Sequence, residues 1–133
     1  MIRFETLARS HGAHLAGAFV VMGGWAFFAN SGHGPDDALA AAALQGTLSA
    51  LVTLSLKSFI ERIAARLPGA AAVALPPLAT FGVVGVVLML LHRLGGTPEI
   101  FRTVALPLTA ATSYAAVYGY LLWRRRRVGG ASA

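Results

Sequence analysis

Gln45, Ser49 and Thr53 stand four residues apart inside a run, from Asp37 to Lys57, that holds no charged residue. At about 100° per residue the three drift through only about 80°, so they form one polar ridge on a helix otherwise made of Ala, Leu and Val. Lipid offers an amide or hydroxyl no partner, so such a ridge either joins helices or lines a path for a polar substrate. One turn on, Lys57 and Glu61 form an i,i+4 pair that can fix depth at a membrane surface. Lys57 with Arg62 and Arg66 can also close on a phosphate or an anionic headgroup. A second set, His33, Asp36, Asp37, His92, Arg93, Glu99 and Arg102, converges if the two halves of the chain pack side by side. Imidazole and carboxylate suit Zn²⁺, but the spacing His33-x-x-Asp36-Asp37 is unspecific and both acids serve a helix start, so no metal is expected. Arg102 is either a solvated arginine or the receiver of an anionic group, with Glu99, Asp36 and Asp37 as candidate partners. No Gly-x-Ser-x-Gly, His-Glu-x-x-His or phosphate loop occurs and there is no cysteine, so neither enzyme chemistry nor a cofactor is expected.

The elements that must position these residues follow from where charge is missing. Only 12% of the 133 residues are charged and 56% are hydrophobic, with mean hydropathy +0.68; a soluble domain carries about 25% charged residues. The uncharged runs are Leu15 to Pro35 (broken by His33), Asp37 to Lys57, Arg66 to His92 and Arg102 to Arg124. With a rise of about 1.5 Å per residue and a hydrocarbon core about 30 Å thick, each can span a bilayer. The expectation is an all-α integral membrane protein, one membrane domain over residues 1–133 with spans near 12–30, 38–57, 71–92 and 100–123. The first run is too long for a secretory signal and is kept as a mature helix.

Punctuation between the spans is dense. Asn30-Ser31-Gly32-His33-Gly34 stops the first helix, and Pro35 with Asp36 and Asp37 starts the second. That helix extends as a charged segment to Arg66, before Pro68-Gly69. Pro76-Pro77 predicts a kink or a late start in span 3, and Gly95-Gly96 its end. Thr97 is the expected cap of span 4, with Pro98 and Glu99 in its first turn and a kink at Pro107. Residues 128–133 read as a flexible tail.

All basic residues except Arg93 and Arg102 fall at Arg3 and Arg9, at Lys57 to Arg66, or at Arg124 to Arg127. Alternate segments are therefore basic, which predicts both termini in the cytoplasm and the inner membrane as location. The net charge of +6 then reads as a topology anchor touching membrane lipids, not as a nucleic-acid surface. His11 and His14 sit where span 1 enters, and Tyr114, Tyr118, Tyr120 and Trp123 form an aromatic belt.

The two halves align at a shift of 63 positions, Pro35 on Pro98, Asp36 on Glu99 and Gly32 on Gly95. The alternatives are two parallel helical-hairpin repeats and chance similarity of apolar helices. Four spans as two parallel hairpins, with Lys57-Ser58-Phe59-Ile60-Glu61-Arg62 and Tyr120-Leu121-Leu122-Trp123-Arg124 closing the even spans, resembles the GtrA-like family of small membrane proteins. That resemblance implies a role in moving polyprenyl-phosphate-linked sugars across the inner membrane. The family's Asn-Phe pair is not among these residues, so no site residue is carried over. The expected function is a transporter or flippase component for a lipid-linked or amphiphilic substrate. Four helices enclose little volume, so a homo-oligomer is expected, with Ala13, Gly17, Ala16 and Gly24 as a contact surface. The alternative is a non-catalytic accessory or assembly subunit of a membrane complex, using the ridge as a docking seam.

Overall fold

A computed structural model describes the backbone of residues 2–130 and the side chains from residue 10 onward. The described chain consists of helices α1 (Ile2–Asn30), α2 (Pro35–Ala65), α3 (Ala71–Leu94) and α4 (Ile100–Gly130), with a 3-10 turn at Ser31–His33 and no strand. Each helix contains a segment long and apolar enough to cross a membrane, so the fold is all-α with four membrane-spanning helices. The helices overrun the expected spans: α1 begins at Ile2 and α4 is helical to Gly130, where a tail was expected. Residues 131–133 of that tail lie outside the described residues.

Glycine geometry sets the reversals. Gly34 adopts φ 105° and ψ 161°, a region closed to residues with a Cβ, and its carbonyl accepts Ala38 N–H at 3.1 Å to open α2. Pro35, Asp36 and Asp37 then fill the first turn as the sequence suggests. At the end of α3, Gly96 has φ 71°, Gly96 N–H bonds Arg93 O at 3.2 Å and Thr97 N–H bonds His92 O at 3.0 Å. This is a Schellman cap with Gly96 at the left-handed position. Thr97 therefore ends α3 and does not cap α4. The first helical bond of α4 runs from Thr103 N–H to Glu99 O at 2.9 Å, and Glu99 N–H is capped across the bundle by Asn30 Oδ1 at 2.9 Å.

The late start expected at Pro76-Pro77 does not occur. α3 begins at Ala71, ahead of Pro76 and Pro77, and α4 runs on through Pro107. Pro76 is buried against α4: a Cβ on Gly119 would lie 3.4 Å from Pro76 Cβ. The bulk of the ring is matched by a missing side chain opposite.

α2 touches each of the other helices, while α1 and α3 make no contact among the described residues. Two parallel hairpins about an axis between α2 and α4 would give that pattern. Their seams, however, are built differently. α1 meets α2 through small residues: a Cβ on Gly23 would fall 2.9 Å from Ala42 O, and one on Gly46 2.9 Å from Phe19 O, beside buried Ala26, Ala38 and Ala41. The close-approach glycine of α1 within the chain is thus Gly23; Gly17 and Gly24, named for contact between copies, face open space. α3 meets α4 through Pro76 on Gly119 and Gly85 under Leu108.

The shared core gathers Leu48, Leu56, Ile60, Val84, Leu88 and Val104. Thr80 is fully buried beside it, and its hydroxyl has no hydrogen-bond partner. Thr80→Val keeps the shape and removes the orphaned group, so it is expected to stabilise the bundle by about 1 kcal/mol. Thermal unfolding in mild detergent checks this; a clearly lowered midpoint would mean that the hydroxyl is satisfied.

Candidate functional site: a polar-floored cleft

The hydrogen bonds that join α1 to α4 all lie near the end of the bundle that carries the α1–α2 and α3–α4 turns. Trp25 Nε1–H donates to Arg102 O at 2.8 Å, one residue before Thr103, whose carbonyl Pro107 leaves without a helical donor. Asn30 Nδ2–H donates to Ala26 O and to Thr103 Oγ1, both at 2.8 Å, while its Oδ1 caps Glu99. Beyond it His33 Nε2 pairs with Glu99 Oε1 at 2.9 Å, both side chains about 40% exposed. Asn30 and Thr103 are fully buried, so this latch satisfies its own polar atoms away from solvent.

Further toward the basic end a cleft of about 580 Å³ opens among the four helices. Ala18 and Met22 of α1 form one wall, Pro107 and Ala110 of α4 the other, with Val84 and Leu88 of α3 behind. Its floor is the α2 ridge, Gln45, Ser49 and Thr53. His11, His14 and Tyr114 stand at its mouth, and among the described residues no Asp, Glu, Lys or Arg lines it.

The ridge is tied into the bundle at its deep end. Gln45 is fully buried; its Nε2–H donates to Ser49 Oγ at 2.8 Å, and its Oε1 accepts from His92 Nε2–H at 2.8 Å. With Nε2 protonated, His92 Nδ1 accepts the Thr97 hydroxyl at 2.7 Å. The Schellman cap makes this possible, since it folds the Thr97 side chain back over the His92 ring. Thr53 Oγ1–H returns to Ser49 O at 2.7 Å. Ser49 thus gives a lone pair to Gln45 and lines the cleft beside it.

The expected outer cluster assembles only in part. His33 meets Glu99, whereas His92 turns away into the bundle to Gln45. Asp36 and Asp37 sit exposed in the first turn of α2, and Arg93 and Arg102 are exposed with no ion pair among the described residues. Glu99, the candidate partner of Arg102, is directed at His33. No group of three or more His, Cys, Asp or Glu able to hold a metal ion occurs among the described residues.

The basic end differs from the expected phosphate clasp. Lys57 Nζ lies 3.8 Å from Glu61 Oε1, which also accepts the Tyr118 hydroxyl at 2.5 Å. Arg62 and Arg66 are exposed and join no ion pair among the described residues. Arg126 Nη1–H donates to Ala64 O at 2.7 Å, and Arg127 lies 5.0 Å from the centre of the Trp123 ring. Two of the four consecutive arginines therefore pin α4 to α2 and to itself.

Trp25 and Thr103 carry no signal in the sequence pattern, while Asn30 reads there only as a helix stop and Thr97 only as a cap. For Asn30 the available signal was an amide at the end of an apolar span, where lipid leaves it no partner. No protein-family model, curated protein or solved structure matches this chain.

Proposed function

We propose that the chain is a multi-pass inner-membrane protein, both termini cytoplasmic, that acts as a transporter or flippase component for an amphiphilic or lipid-linked molecule. The observation that carries this reading is the cleft: an apolar-walled space with a continuous polar strip along one side and no fixed charge among the described residues that line it. A polar head crossing hydrocarbon gains most from such a strip, while its tail stays against apolar side chains. The basic residues gathered at one end support the orientation, because positive segments remain on the cytoplasmic side. The GtrA-like resemblance points the same way. A homo-oligomer fits the reading, since about 580 Å³ in one copy is little for a large lipid. The accessory-subunit reading has less support, because Gln45 is engaged within its own chain and is not displayed as a seam.

The test is reconstitution into vesicles carrying headgroup-labelled fluorescent lipids, with bleaching from outside reporting movement between leaflets. Wild-type protein is expected to raise the bleached fraction above that of empty vesicles. Ala18→Phe with Ala110→Phe, which fills the cleft from both walls, is expected to reduce movement at least tenfold at equal incorporation. Equal rates with and without protein, or an unimpaired double variant, would overturn the proposal.

A further inference from the structure

We infer that the cleft holds one single-chain amphiphile with an anionic head, a carboxylate or a phosphate monoester, its head at His11 and His14 and its chain pointing toward Met22. This names the cargo class of the transport reading and rests on it. Volume is the first argument. At about 30 Å³ for a water or methylene-sized group, 580 Å³ takes about 20 such groups. That is one chain of common membrane length with a small head. A lipid with two such chains would leave the second outside the cleft.

Charge is the second argument. Among the described residues the lining contains no carboxylate that would repel an anion, and its charge-capable nitrogens, on His11 and His14, are both at the mouth. The two lie three residues apart on α1, which puts them on one face. His14 Nδ1–H is held by Ser10 O at 2.6 Å, leaving Nε2 for a ligand. As an imidazolium the ring donates to Ser10 through Nδ1 and to the head through Nε2. Across the mouth, Tyr114 stacks on Tyr118 at 5.6 Å between ring centres, which fixes the ring that carries a further hydroxyl donor. Inward, the walls are Ala18, Met22 and Ala110, with Ser49 and Thr53 along one side. The head is thus placed where donors gather at the basic end, and the chain where apolar walls converge. An amphiphile inserted the other way would place its anion at the buried end beside Gln45, away from the His11 and His14 nitrogens.

The experiment uses the full chain in nanodiscs of phosphatidylcholine, with palmitate, hexadecyl phosphate, hexadecanol and phosphatidylglycerol as probes and native mass spectrometry as readout. One palmitate or one hexadecyl phosphate per chain is expected, and the stronger of the two identifies the head chemistry. Hexadecanol and phosphatidylglycerol are expected to bind at least tenfold more weakly. His11→Gln with His14→Gln should lower anionic-probe affinity at least tenfold and leave hexadecanol unchanged. Met22→Trp should shift the preferred chain to one shorter by about two carbons, which a merely structural role for Met22 would not do. Equal binding of phosphatidylglycerol, or a chain-length preference unmoved by Met22→Trp, would overturn the inference. If Ala18→Phe with Ala110→Phe blocks lipid movement while no anionic single-chain probe binds, the transport reading stands and this one falls. Binding of palmitate without movement of either a two-chain lipid or a headgroup-labelled single-chain amphiphile between leaflets would instead refute the transport reading.

Discussion

The expected result of Gly46→Leu is loss of the folded bundle. A Cβ at this position lies 2.9 Å from Phe19 O and 2.9 Å from Phe19 Cδ2. The ring can rotate away, but the carbonyl belongs to the α1 backbone and yields only if α1 leaves α2. Helices in lipid have no hydrophobic force to hold them once close packing is lost, because lipid tails are as apolar as leucine. The displacement would also carry Trp25 away from Arg102 O and Asn30 away from Thr103 and Glu99, so the α1–α4 latch opens with the seam. The cost is about 3 kcal/mol or more, at the upper end of overpacking effects because the obstacle is backbone. Gly24→Leu is the control. It sits one residue from the seam glycine Gly23, faces open space, and is expected to change stability by about 0.5 kcal/mol or less. Monodispersity and thermal midpoint in mild detergent measure both. A Gly46→Leu protein as stable as wild type would show that the seam is looser than its geometry.

That contrast also marks how far sequence reasoning reached. The spans were legible because their signal is one-dimensional: an uncharged run of sufficient length is enough, whatever it packs against. Pro35 with Asp36 and Asp37 started α2 as expected, because proline and acids at a helix start act locally. Which glycine of α1 makes the close contact was not local. One residue along a helix turns the face by about 100°, and only the position of α2 selects Gly23 over Gly17 or Gly24. His92 failed for the same reason. Its place three residues before the Gly95-Gly96 stop suggested the surface, but the Schellman cap and the crossing of α3 on α2 bring its ring to Gln45. Thr97 looked like a cap because Thr before Pro and an acid usually is one; here a side chain from another helix, Asn30, had already supplied the cap. The polar ridge itself was legible, since i,i+4 spacing fixes a common face regardless of partner.

Gln45→Leu alone is expected to destabilise the bundle by about 2 kcal/mol, because it leaves His92 Nε2–H buried without an acceptor and strips Ser49 Oγ of its donor. His92→Phe alone leaves Gln45 Oε1 unpaired and costs a similar amount. The double variant Gln45→Leu with His92→Phe removes both partners together and fills their space with apolar groups. Since replacing both ends of a buried hydrogen bond is far milder than removing one, the pair is expected to recover most of the summed loss, with a coupling of about 3 kcal/mol. Stability then separates from function. If the ridge only fastens α2 to α3, the restored double variant should move lipid as wild type does. If the ridge is the floor of a path, the double variant regains its thermal midpoint yet stays impaired in lipid movement, because the polar strip now ends at Ser49. The second outcome is the one expected, since Gln45 and Ser49 line the same cleft. A stable double variant with wild-type movement at equal incorporation would reduce Gln45 and His92 to a fastening between helices.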